Sequence, residues 1–96
     1  MNHPIILFIS YEFRLSFSHS LKEKRQPLKS LKERIKHKFN ASVAELEGQD
    51  EWQRAVIGVC MLSTDKQQLE RQMSQLEKFV LESTEMEVMN IQHEWL

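Results

Sequence analysis

Apolar residues fall at every second position from Ile5 to Leu15: Ile5, Leu7, Ile9, Tyr11, Phe13 and Leu15. A period of two places them on one face of a β-strand. The opposite face reads Ile6, Phe8, Ser10, Glu12, Arg14, apolar only in its first half. A central strand with helices over one side has this pattern. The period then changes. Leu28, Leu31, Ile35 and Phe39 form an apolar stripe at helical spacing. Ser20 followed by Glu23 matches a capping box, so a helical turn can start near Leu21. Pro27 favours a start nearer Arg25, or a kink, because proline is comfortable only in a helix's first turn. Asn40 is a suitable stop.

Ala41 to Leu46 reads as a second, weaker strand, and Glu47 to Glu51, with Gly48, as a turn. A third strand starts at Trp52 or Arg54 and runs to about Leu62. Both of its faces, Ala55/Ile57/Val59/Met61 and Val56/Gly58/Cys60/Leu62, are apolar or small, which marks a second central strand. Ser63-Thr64-Asp65 supplies N-cap residues for a helix to about Glu82, with Leu69, Met73, Leu76, Phe79 and Val80 on one face. Glu87 to Trp95 is a last strand, with Met89, Ile91 and Trp95 facing one way. The order βαββαβ predicts an α+β, ferredoxin-like domain: a four-stranded antiparallel sheet with two helices on one face.

The 96 residues make one domain, 1–96. The single cysteine, Cys60, cannot form an internal disulfide, which fits a reducing compartment. The longest apolar run, Pro4 to Ile9, is far short of a membrane span. Met1-Asn2-His3-Pro4 has no basic signal-peptide region. The expected location is the cytoplasm, with no membrane association.

Net charge is −1, but the charges are segregated. Lys22 to Lys38 holds Lys22, Lys24, Arg25, Lys29, Lys32, Arg34, Lys36 and Lys38 against Glu23 and Glu33. From Ala44 onward acidic residues dominate. Such an array on a helix can neutralise phosphates and release counterions. The alternative is a solvated helix whose lysine stems cover the core edge. Lys29, Lys32 and Lys36 line one flank of the apolar stripe, and Arg34 and Lys38 the other.

Two stretches are distinctive: His19-Ser20-Leu21-Lys22-Glu23-Lys24-Arg25 and Gln49-Asp50-Glu51-Trp52-Gln53-Arg54-Ala55. With Phe39 to Glu45 between them, they closely resemble the YlxP-like family of small bacterial proteins, a family of unknown function. The resemblance covers nearly the whole chain and departs from the family at Pro27. It implies a ferredoxin-like fold. It also implies an association with translation, because family genes commonly lie beside translation-initiation and ribosome-maturation genes. It brings no activity.

The expected partner is therefore RNA or a ribosomal particle, met by the basic first helix. His19, Gln49, Asp50, Trp52, Gln53 and Arg54 form a possible recognition patch in which Trp52 or Arg54 could stack on an unpaired base. Alternatively, Trp52 closes the end of the core, and Asp50 and Arg54 satisfy the turn or each other. Ile6, Phe8, Val56 and Cys60 would face outward on the open side of the sheet and could form a homodimer. A remoter reading uses Arg25 at the helix start in an acyl-phosphate or phosphate-ester hydrolase, although a glycine-rich cradle is missing and Glu23 disfavours an anion. His3, His19, His37 and His93 show no ligand spacing. Ser20 has no evident base partner. No metal, cofactor or catalytic residue is expected.

Overall fold

A computed structural model describes residues 3–96. The elements follow in the expected order: β1 (Ile5–Arg14), α1 (Leu21–Phe39), β2 (Ser42–Glu47), β3 (Arg54–Ser63), α2 (Lys66–Ser83) and β4 (Glu87–Trp95). The sheet order is β2-β3-β1-β4, with every neighbouring pair antiparallel. This is the ferredoxin-like arrangement. β1 and β3 lie at the centre and pair over ten residues, from Ile5↔Ser63 to Arg14↔Arg54. Their two-sided apolar composition has its cause here.

Leu7, Ile9, Tyr11 and Phe13 of β1, with Ala55, Ile57, Val59 and Met61 of β3, point into one core. Leu28, Leu31, Ile35 and Phe39 of α1 and Leu69, Leu76 and Val80 of α2 cover the same face. Both helices thus lie on one side, and the other side of the sheet is left without a helical layer. The two helices also touch through Phe39 and Phe79, which meet edge to face with centroids 5.7 Å apart.

The helix ends follow from local chemistry. Ser20 Oγ accepts from the Glu23 N–H at 3.0 Å, while the Glu23 carboxylate accepts from the His19 N–H at 2.8 Å. This reciprocal cap starts α1 at Leu21, so Pro27 lies inside the helix rather than at its start. Asn40 ends α1 in the left-handed region, at φ 49°. Asp65 caps α2 by accepting from the Gln67 and Gln68 N–H groups.

One strand face differs from its expectation. β4 contains a bulge: Glu12 pairs with Asn90, but the next residue, Phe13, pairs with Val88. Met89 is the extra residue and is thrown outward, 53% exposed, instead of sharing the inner face with Ile91 and Trp95. Val88 takes its place beside Ile91 and Trp95 against the core.

Candidate nucleic-acid interface

The helical rotation of 100° per residue sorts the basic residues of α1 into three groups. Lys22, Arg25, Lys29, Lys32 and Lys36 share one flank, a stripe about 21 Å long. Lys32 is half-buried and the other four are exposed. Among the described residues, no carboxylate lies within ion-pairing distance of any of the five. The flank looks towards β2: Arg25 and Lys32 border a recess of about 180 Å³ with Glu45 and Gln49.

Arg34 and Lys38 occupy the other flank and are engaged with α2. Arg34 donates to the Ser83 carbonyl at 3.0 Å and to the Ser30 carbonyl at 3.3 Å. Lys38 Nζ stands 4.7 Å from the centre of the Phe79 ring, and Arg34 Cζ 5.9 Å from it. These two cations help hold the helices together.

Lys24 must be removed from the phosphate-binding set. It is 3% exposed. Its ammonium donates to the carbonyls of Gly48 at 2.6 Å, Glu51 at 3.0 Å and Arg54 at 2.8 Å. Those three bonds use all three N–H donors. Glu45 Oε2, 3.0 Å away, therefore balances the charge without an aligned hydrogen bond of its own. Lys24 lies one turn before Leu28 on the same side of the helix, so the apolar stripe carries it into the protein. That spacing is visible in the sequence. The inward-facing carbonyls of the β2–β3 turn are not.

The recognition patch comes together only in part. Gln53 Nε2 donates to the Ser18 carbonyl at 3.0 Å and so ties the 16–20 loop to the turn. Gln49 Nε2 contacts the Glu45 carbonyl at 3.4 Å. Arg54 Nε donates to Glu12 Oε2 at 2.7 Å, and its terminal nitrogens stand 3.7 Å from Glu47 and Glu51. The Glu12 hydrogen bond, joined by the pull of all three carboxylates, raises the Arg54 pKa above its ordinary value. Arg54 is thus paired with these glutamates and not with Asp50. Trp52, expected at the end of the core, is 54% exposed. His19 and Asp50 are exposed as well.

On the open sheet face Ile6, Phe8 and Cys60 are half-buried, but Val56 is only 7% exposed. The Glu12–Arg54 ion pair stands beside Val56 and covers it. Leu46 and Phe8 converge over Gly58, where a Cβ would meet Leu46 Cδ1 at 2.6 Å and Phe8 Cε1 at 2.9 Å. Leu46 and Leu62, the latter 71% exposed, belong to this face and were not among the residues proposed for it. Strand alternation alone places both there.

No group of three potential metal ligands is found among the described residues. Among the described residues, no helix is long and apolar enough to cross a membrane. The start of α1 is capped by the chain's own Ser20 and Glu23, which leaves Arg25 without a converging anion cradle.

The model of a family described as "Protein of unknown function (DUF503)" matches residues 6–93, nearly the whole chain. The chain belongs to this family. It is 37% identical over 76 residues to the uncharacterized protein YlxP of Bacillus subtilis (strain 168), a match covering 79% of this chain and 83% of that protein. Among solved structures it is similar to the de novo designed protein Foldit4, with a TM-score of 0.51 and 16% identity over 96% of this chain and 97% of that one. At that identity the likeness concerns the fold alone, and a designed protein supplies no function to carry over.

Proposed function

We propose that this family member is a small binding protein that contacts RNA, as an accessory of a ribonucleoprotein particle, through the outer flank of α1. The observation that carries this reading is the alignment of Lys22, Arg25, Lys29, Lys32 and Lys36 on one flank without carboxylate partners among the described residues. Cations used for folding are normally paired or stacked, as Lys24, Arg34 and Lys38 are here. A row of uncommitted cations on a rigid helix favours a polyanion, bound without sequence preference and weakened by salt. Filter binding to ribosomal RNA tests it. Wild type is expected to bind at low salt, and the Lys29→Glu/Lys32→Glu/Lys36→Glu variant to lose most of that binding. No binding by wild type, or equal binding by the variant, would sink the reading.

A second reading is a homodimer formed through the open sheet face, favoured by the exposure of Leu46 and Leu62 beside Phe8 and Ile6. Sedimentation of wild type and Phe8→Asp separates the two: a dimer is expected in wild type only, and a monomer in both removes this reading.

A further inference from the structure

A wide cleft in the described structure shares no lining residue with the basic stripe. It holds about 670 Å³ and is open to solvent. It sits at the end of the sheet where β1 finishes, β3 begins and β4 enters. Its exposed apolar side chains are Trp52 and Met89. Trp52 and Met89 are two of the larger exposed apolar side chains, and the β4 bulge is what brings Met89 out. The turn carrying Trp52 is held at its base by the three Lys24 hydrogen bonds and by Gln53. An exposed indole on an anchored turn is a preformed platform, because its ordering cost is met by folding.

The charges around it have one sign in excess. Glu12, Asp50 and Glu51 line the cleft, and Glu47 stands behind Arg54. Against these four carboxylates stand two guanidiniums, Arg14 and Arg54, and Arg54 is already shared among three glutamates. Such a surface repels phosphate and attracts a cation. An aromatic face beside carboxylates suits a guanidinium, which stacks on the indole while its N–H groups reach the acids. Its aliphatic stem would lie along Met89.

We propose that this cleft docks an arginine-bearing basic segment of a partner protein, with an arginine over Trp52 and its charge against Asp50 and Glu51. The inference goes beyond the RNA reading and uses none of the stripe residues, so either can fail while the other stands. The experiment uses full-length protein carrying Trp95→Phe, which leaves Trp52 as the sole indole. A capped tetra-arginine peptide is titrated and Trp52 emission followed, with adenosine monophosphate and a short single-stranded RNA as separate arms. The peptide is expected to change the emission, with affinity falling as salt rises. Asp50→Asn/Glu51→Gln should weaken it at least about tenfold. Trp52→Leu, read by calorimetry, should do the same, and Glu77→Gln/Glu82→Gln on α2 should leave it unchanged. Circular dichroism confirms that each variant is folded. No peptide-induced change, equal affinity in the cleft variants, equal loss in the α2 control, or a Trp52 response to the nucleotide or RNA and not the peptide would each overturn the proposal.

Discussion

A lysine whose ammonium holds three backbone carbonyls and a carboxylate cannot be exchanged for an apolar side chain without leaving those groups unpaired. Lys24→Met keeps most of the volume but strands the Gly48, Glu51 and Arg54 carbonyls and the Glu45 charge. Breaking a buried charge pair from one side costs about 3–5 kcal/mol. Urea unfolding should therefore show a large drop in midpoint for Lys24→Met, and little change for Lys29→Met on the exposed flank. Tyr11 presents the opposite case. Its hydroxyl is buried without a hydrogen-bond partner among the described residues, and burial, aided by the Glu77 charge, pushes its pKa well above the ordinary value. Tyr11→Phe removes an unpaired polar group and should raise stability by about 1 kcal/mol. The pH dependence has a definite sign. The unfolded chain loses the tyrosine proton at about pH 10, while the folded chain keeps it to higher pH. The stability linked to Tyr11 is thus complete below about pH 10 and declines as pH rises beyond it. Urea midpoints across that range should decline more steeply for wild type than for Tyr11→Phe.

At the scale of the elements, α1 is the one built against its own propensity. Pro27 lies inside it and offers no N–H to the Glu23 carbonyl four residues back. Pro27→Ala restores that bond, partly offset by greater freedom in the unfolded chain. A gain of about 1 kcal/mol is expected, which calorimetry would read as a rise in Tm of about 4–8 °C. An unchanged or lower Tm would mean that the helix has already adjusted around the ring. The sequence signals for the elements were mostly sound. Alternation in β1 and β3, the 3.6-residue stripes of both helices, and the Ser20, Asn40 and Asp65 caps are local, and all are found in the structure. Pro27 obscured the start of α1 because a local rule was set against a capping box and four turns of packing. Met89 escaped because a bulge is a property of a strand pair, and alternation within β4 alone carries no trace of it. The site was less legible than the fold. Helical spacing grouped Lys29, Lys32 and Lys36. The withdrawal of Lys24, Arg34 and Lys38 depended on carbonyls and an aromatic ring contributed by residues 24 to 49 positions away in sequence, such as Phe79 and Ser83.

The whole molecule separates its charges by place. The helix layer presents cations along the β2-side flank of α1, and the end of the sheet where β1 finishes presents carboxylates around an exposed indole. A net charge of −1 conceals both. RNA on the first surface and a basic protein segment on the second would let one small domain touch both components of a ribonucleoprotein. The central claim concerns the first surface, and the salt dependence of RNA binding tests it most directly. For a single strand, the slope of log K against log salt is about −0.7 for each phosphate neutralised. Five stripe cations predict a slope of about −3.5 for wild type. Replacing Lys29, Lys32 and Lys36 by glutamine should reduce its magnitude by about 2. Replacing Arg34 and Lys38 should leave it nearly unchanged. A slope indifferent to the stripe, or one that responds equally to Arg34 and Lys38, would contradict the account.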